Sequence, residues 1–363
     1  MKVLHIITGL EAGGAERALA TLLGHGIPGV DSHAVISLKD EGVFGPALRE
    51  QGITVKSVGM RGGVPSPGAF LRLRRLVRDM EPDLVQGWMY HGNIAASLVR
   101  GRGARSLPLV WNLRQTLYDL RQEKVLTRQV IRAGRALSPR CSALVYNSHL
   151  SSEQHGAFGF SNQRAMVIPN GFDIRRWAPD ASARARIRRD LGIPADTLVL
   201  GHFARFHPMK DHAGFVSALR SVLQCLPELR VVMAGTGVDR GNPDFARLVA
   251  DLPEDRVITL GERRDMEALM ASVDVFCLSS HRGEAFPNVL GEAMSCEVVP
   301  VTTDVGDAAR IVGETGYVVP RNDVGAMART LEDVLSQPEA DRAQLARSAR
   351  ERVSQCFDLD AVA

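Results

Sequence analysis

Short apolar runs, separated by longer amphipathic or polar stretches, recur along this chain. In the first half they fall at 2–8, at Val35-Ile36-Ser37-Leu38, at Ile53-Thr54-Val55-Lys56-Ser57-Val58, and at 82–87, 109–112, 143–147 and 167–168. In the second they fall at 197–203, 231–235, 257–261, 273–278 and 298–301. Runs apolar on both faces read as strands of a parallel sheet, since such a sheet is covered by helices on both sides. Helices are predicted from the Gly-rich loop after the first run to about Gly24, over 69–80 and over 125–137. Strands alternating with helices predict an α/β protein of two Rossmann-like domains facing a cleft, residues 1–175 and 176–363. The turn residues Pro169-Asn170-Gly171 close the first series, and Pro179 and a highly charged helix at 182–191 follow, which places an interdomain linker near 172–195. There is no short-period repeat and no low-complexity tract.

Composition adds exclusions. With 45% hydrophobic and 23% charged residues the chain reads as soluble and globular, and no apolar run reaches the roughly 18–20 residues of a membrane span. The apolar part of 1–7 is too short for a signal peptide and reads as the first strand. Five scattered cysteines, Cys141, Cys225, Cys277, Cys296 and Cys356, show no metal-ligand spacing, which fits a reducing cytoplasm and no zinc site. The net charge of +3 is uneven: residues 1–175 hold 22 Lys and Arg against 13 Asp and Glu, the remainder 22 against 28. A basic first half suggests an anionic partner, a membrane surface or a phosphorylated acceptor, with no sign of nucleic acid. Helix 69–80 sets Leu73, Leu76, Val77 and Met80 at helical spacing, with Arg72, Arg75 and Arg78 on a solvated face. Helix 125–137 carries Arg128, Arg132 and Arg135 on one face beside Arg121 and Lys124, a surface suited to anionic lipid.

Candidate chemistry gathers where strands end. The 273–278 run leads into Ser279-Ser280-His281-Arg282-Gly283-Glu284-Ala285-Phe286-Pro287-Asn288-Val289-Leu290-Gly291-Glu292, a polar loop and then a helix start marked by Pro287. A helix start after a strand is an anion site, and Glu284 and Glu292 frame it with seven residues between them. Arg205 and Lys210 follow the first strand of the second half, where open α/β sheets bind ligands and where cations can clamp phosphate. Gly13-Gly14-Ala15-Glu16 lacks the full G-x-G-x-x-G spacing of a dinucleotide fingerprint. His91 follows the strand ending near 87, and Asn112, Arg114 and Ser148 lie past later strand ends. Gly235-Thr236-Gly237, Gly261-Glu262-Arg263-Arg264 and Asp304-Val305-Gly306-Asp307 end three strands of the second half.

Taken in order, from the Gly-Gly-Ala-Glu loop to Val312, these motifs resemble the retaining glycosyltransferases of family 4 (glycosyl transferases group 1, B-type fold), and 88–93, 211–212 and 283–290 resemble the bacterial lipopolysaccharide, capsule and exopolysaccharide kind. The resemblance implies that Arg205, Lys210, Glu284 and His91 serve catalysis. It implies donor contacts at Gly14, Gly235, Gly237 and Arg263, along Phe286, Pro287, Asn288, Val289 and Leu290, and at Glu292, which takes the ribose hydroxyls. Gly13, Glu16, Asn112 and Arg114 would meet the acceptor. With no Asp-x-Asp at a strand end, the implied reaction needs neither metal nor cofactor; a UDP- or GDP-sugar is a substrate, and the acceptor is a saccharide or lipid-linked. The departing diphosphate would deprotonate the acceptor hydroxyl on its own face, with Glu284 positioning the sugar. The implied place is the cytoplasm, at the inner face of the membrane as a peripheral protein. Rival readings are a sugar-nucleotide 2-epimerase on the same fold and a non-catalytic nucleotide-sugar-binding partner protein. Three departures stand out: Ala285 for the usual Gly, 297–299 for Gly-Val-Pro, and an end at Ala363 where members often continue into a helix crossing back to the first domain. The last would mean a missing tail or weaker closure.

Overall fold

The computed structural model describes residues 1–11, 13–60, 66–101 and 106–363; Ala12 of the Gly-rich loop lies outside them. The chain divides into two compact units, Met1–Gly171 with Val362–Ala363, and Phe172–Ala361, against the 175/176 boundary expected from sequence.

The first unit is a seven-stranded sheet in the order β3-β2-β1-β4-β5-β6-β7, every neighbouring pair parallel. Its strands are β1 Lys2–Ile7, β2 Ser32–Ser37, β3 Thr54–Ser57, β4 Leu84–Trp88, β5 Leu109–Leu113, β6 Ala143–Tyr146 and β7 Ala165–Val167. Strand alternation divides its core in two: Leu4, Ile6, Ala34 and Ile36 pack on one face, and Ile7, Val35 and Val55 on the other.

The second unit is a six-stranded parallel sheet in the order β10-β9-β8-β11-β12-β13. Its strands are β8 Val199–Phe203, β9 Arg230–Ala234, β10 Val257–Thr259, β11 Val275–Leu278, β12 Val299–Thr303 and β13 Tyr317–Val319. Here too the faces alternate, with Leu200, Val231, Val275 and Cys277 on one side and Val199, Val232, Phe276 and Leu278 on the other. In both sheets the strand order reverses once, between β1 and β4 and between β8 and β11, and each reversal leaves a crevice at the strands' C-terminal ends.

Two expectations need correction. The charged helix assigned to a linker, Ala181–Asp190, belongs to the second unit. It buries Ala183 and Ile187, and its Arg188 is 3% exposed because Asp274 Oδ2 accepts from Nη2 at 2.8 Å while the carbonyls of Ser272, Ala195 and Thr197 accept its other protons. A buried charge survives only when paired and hydrogen-bonded, and those partners are distant in sequence. Pro287 marks the start of helix Asn288–Ser295 as expected, at its cap position. The first helix starts at Gly14 itself, with Gly13 as its cap, so Glu16 sits in its first turn, where the helix dipole favours an acid.

Helix Val125–Leu137 has the expected bounds, and the helix expected at 69–80 begins earlier, at Pro67, where Ser66 Oγ accepts the Ala69 N–H at 3.1 Å. The sequence reading passed over helix Met89–Val99, strand β13 and the closing helices Val324–Ser336, Glu339–Cys356 and Leu359–Val362. Among the described residues no helix is long and apolar enough to cross a membrane.

Candidate functional site

At the second unit's switch point the loops leaving β8 and β11 are pinned together. The β8 loop, 204–211, makes the short 3-10 turn Pro208–Lys210 and enters helix His212–Cys225, capped by Asp211, whose carboxylate accepts the Gly214 N–H at 3.0 Å. The β11 loop, 279–287, is fastened on two sides. Toward β8, the His281 N–H donates to Met209 O at 3.1 Å and Ser279 Oγ donates to Lys210 O at 2.7 Å. Toward β12, Thr303 Oγ1 donates to Ser280 O and the Asp307 N–H donates to Ala285 O at 2.9 Å. Gly306, at φ +56°, lies where a Cβ would come within 2.5 Å of Ala285 O, so the loop after β12 can press this closely only with glycine there.

This fastening joins two residues to which sequence had given separate tasks. Lys210 Nζ pairs with Glu284 Oε1, and the same oxygen accepts from Ser280 Oγ at 2.9 Å. Their side chains are 19% and 14% exposed, so water and salt screen this pair less than a surface pair. Arg205 stands exposed on the same loop as Lys210, and Glu292 is buried on helix Asn288–Ser295.

The 286–290 segment divides between core and rim. Phe286 stacks on Phe172 at 6.0 Å between ring centres and meets Phe357 edge-on at 5.6 Å, and Leu290 is fully buried. Pro287 has no N–H, and the Leu290 N–H donates to Pro287 O at 3.1 Å, so neither of these two amides is offered to a ligand. Gly235 and Gly237 shape the β9 loop, where Thr236 O accepts the Phe206 N–H at 2.8 Å and the Gly235 N–H reaches Gly261 O at 2.8 Å. Arg263 turns away to its own neighbour, making two bonds to Asp265 at 2.6 and 2.8 Å that hold this carboxyl below its usual range.

At the first unit's switch point β1 leads into Gly13 and Gly14, while β4 passes at once into helix Met89–Val99 through Met89 at φ +61°, a left-handed conformation that a side chain rarely adopts. A Cβ at Gly92 would lie 3.2 Å from Ile6 C, so this helix rests directly on β1. His91, in its first turn, is half-buried; burial and the charge of Lys39 lower its pKa. Burial raises the Glu16 pKa, and Lys39 partly offsets that. Lys39 thus joins His91 and Glu16 electrostatically. Sequence reasoning missed it, although it directly follows the second apolar run.

Asn112 and Arg114 are held from within. Asn93 and Asn112 exchange two bonds at 3.4 Å, the Arg114 Nε–H donates to Asn112 Oδ1 at 3.0 Å, and Nη1 reaches Asn170 Oδ1. The Arg114 guanidinium lies 4.9 Å from the Trp88 ring centre, and burial lowers its pKa to about 10, so it stays charged at neutral pH. Ser148 caps helix His149–Phe158 through the Ser151 N–H at 3.1 Å. Among the described residues no group of three or more His, Cys, Asp and Glu is placed to hold a metal ion.

Comparison with known proteins adds the following. Residues 12–176 match the family model described as Glycosyltransferase Family 4, and residues 197–337 match Glycosyl transferases group 1. The D-inositol 3-phosphate glycosyltransferase of Kineococcus radiotolerans is 32% identical over 213 residues, 53% of this chain and 48% of that protein. The phosphatidyl-myo-inositol mannosyltransferase of Mycobacterium tuberculosis is 30% identical over 174 residues, 47% of this chain and 44% of that protein. The chain thus spans about half the length of the curated relatives it matches. The crystal structure of Anabaena HepE in complex with UDP and glucose is 26% identical and superposes at a TM-score of 0.84, covering 100% of this chain and 97% of that one.

Proposed function

Since both units of the chain belong to the family 4 and group 1 glycosyltransferases of the B-type fold, we propose that it moves a sugar from a nucleotide-sugar donor to a saccharide or lipid-linked acceptor in cell-surface polysaccharide synthesis. One observation carries the reading: Lys210 and Glu284 pair at the β8/β11 switch point, with Arg205 exposed on the Lys210 loop and helix Asn288–Ser295 starting four residues after Glu284. Two cations beside a helix N-terminus suit a diphosphate, and carboxylates suit hydroxyls. Lys210 has three ammonium protons, so it can keep Glu284 and still reach a phosphate oxygen.

In the proposed reaction the bond from the anomeric carbon to the phosphate oxygen breaks, and its electron pair leaves with the nucleoside diphosphate. Arg205, Lys210 and the N-terminus of helix Asn288–Ser295 stabilise that charge. The acceptor oxygen bonds to the anomeric carbon on the face the phosphate leaves, and the leaving phosphate takes the acceptor's proton. The configuration is retained, no protein nucleophile takes part, and the two cations supply the charge that a divalent ion supplies elsewhere. Glu284 positions the sugar and Glu292 the ribose. HepE, whose crystal contains UDP and glucose, supports a UDP-sugar as donor, with GDP-sugars next. Peripheral association with the inner face of an anionic membrane draws support from the basic first unit, where Val125 and Leu126 are 65% and 40% exposed beside Lys124 and Arg128.

Turnover of UDP-glucose and GDP-mannose, followed by proton NMR of the anomeric signal, tests the reading. Release or transfer of the sugar with its original anomeric configuration is expected. An inverted first product would sink the mechanism, and conversion of donor to a 2-epimer would replace it with the epimerase.

A further inference from the structure

Two buried histidines of the second unit take no part in the reaction above, yet both reach the loop that carries its cations. His202, in β8, is 1% exposed and stacks on Phe215 at 4.2 Å; His212, at the start of helix His212–Cys225, is 3% exposed and meets the His202 ring edge-on at 4.8 Å. Their tautomers follow from their partners. Ser279 has a single hydroxyl proton and donates it to Lys210 O at 2.7 Å. The 2.9 Å contact between His202 Nε2 and Ser279 Oγ must therefore use a proton on the imidazole, so His202 carries its hydrogen on Nε2. His212 Nε2 lies 3.3 Å from Ala204 O, a carbonyl that only accepts, so His212 is also protonated on Nε2. Nδ1 of each ring is buried with no hydrogen-bond partner.

The two rings thus hold opposite ends of one short segment. His212 anchors the carbonyl just before Arg205, and His202, through Ser279, anchors the carbonyl of Lys210 itself. Burial and the Lys210 charge lower the pKa of both, and the His212 ring lowers that of His202 further, so the rings are neutral at pH 7 and add no charge beside the cations. Leucine or phenylalanine would fill this space without stranding two imidazole nitrogens, and what they would lack are the two donors that fix the loop.

We propose that His202, Ser279 and His212 are positioning residues that set the backbone of Arg205 and Lys210 for the leaving diphosphate. None of the three has to touch the ligand. The inference rests on the donor reading given above, and it adds a built anchor behind that site which sequence motifs do not mark.

The test is calorimetric titration of UDP and GDP into the full chain, wild type and four variants: Ser279→Ala, Lys210→Ala, their double, and His202→Gln, whose side-chain amide can present an N–H where Nε2 stood. Ser279→Ala should weaken the nucleotide that binds by about tenfold, the size of one hydrogen bond to a positioned group. In the Lys210→Ala background the same change should add little, because its effect runs through Lys210, and His202→Gln should stay within about threefold of wild type. Wild-type binding with unaltered Ser279→Ala affinity overturns the inference alone. An equal loss in both backgrounds does so too, since it marks a role in general stability. A wild-type chain that binds neither nucleotide overturns the donor reading and this inference with it. The second readout is histidine nitrogen NMR at pH 7, where both rings should show the neutral Nε2–H tautomer; a charged ring or an Nδ1–H form contradicts the hydrogen-bond assignment.

Discussion

Gly235→Ala probes how tightly the second unit's loops are pressed together. Gly235 has φ +148°, and an ideal Cβ there would lie 2.5 Å from Ala204 C and 2.8 Å from Arg205 N, with Ala204 O nearer still. Real Cβ atoms essentially never approach below 3.0 Å, so the two strands of backbone must part by at least 3.0 − 2.5 = 0.5 Å. Neither side can rotate away. The Ala204 N–H is bound to Ala234 O at 2.9 Å, the Phe206 N–H to Thr236 O at 2.8 Å, and the Gly235 N–H to Gly261 O at 2.8 Å. Overpacking costs about 1–3 kcal/mol, and a side chain at positive φ about 1–2 more. The sum, about 2–5 kcal/mol, should lower the melting temperature of a unit this size by roughly 4–20 °C at about 2–4 °C per kcal/mol. The same shift moves Arg205, and displacing a reacting group by about 1 Å can cost about a hundredfold in turnover. Gly192→Ala is the control: Gly192 sits at φ +66° with nothing within 4 Å of its Cβ, so it should show the backbone strain alone. Urea unfolding of both variants decides the matter. If Gly235→Ala unfolds at the same urea concentration as Gly192→Ala, the close approach of the β8 and β9 loops is refuted.

Lys210→Ala should lower kcat by about 10²–10³-fold, the effect of losing one donor to a developing charge, with chelator leaving wild-type turnover intact; strict dependence on a divalent ion would contradict the mechanism. Asp274→Ala should cost the second unit about 3–5 kcal/mol in urea unfolding, because it strands the buried Arg188 charge and removes the acceptor of the Val199 N–H; a loss under 1 kcal/mol would show that helix Ala181–Asp190 is not anchored there. Stability should also fall with acid. His155 and His212 are held near pKa 4 by burial and His5 near 3, so below the unfolded value of 6.5 the unfolded chain binds more protons. Each such ring then costs up to about 1.4 kcal/mol per pH unit, a loss that begins as pH drops through 6.5. Equal urea midpoints at pH 7.5 and 5.5 would refute it.

What the sequence revealed, it revealed through local pattern. Strands apolar on both faces are visible because all of β11 and all of β1 past Lys2 are buried, and motif residues just past such runs lie at strand ends whatever the rest of the chain does. Contacts between distant segments left no such trace. Lys210 and Glu284 are paired across 74 positions, and nothing in either loop announces that. Arg188 reads as a solvent-facing charge until Asp274 and three carbonyls, supplied from outside its helix, bury it, which is why a packed helix was taken for a linker. Phe286 and Leu290 fall inside a ligand motif by position, yet their side chains belong to the core, and only Phe172 and Phe357, far off in sequence, make that plain. The helix after β4 escaped because its entry needs Met89 at positive φ, a conformation that tertiary packing imposes against local preference.

The central claim is that the β8/β11 switch point holds the diphosphate of a nucleotide sugar. Thermal denaturation of the full chain with UDP, UDP-glucose, GDP and GDP-mannose, repeated on Lys210→Ala, tests it most directly. A ligand at 100 times its dissociation constant should stabilise the wild type by about 2.7 kcal/mol. The account predicts that one nucleotide class does so and that Lys210→Ala abolishes most of the shift. Stabilisation that survives Lys210→Ala would place the nucleotide elsewhere, and no shift with any of the four would contradict the claim itself.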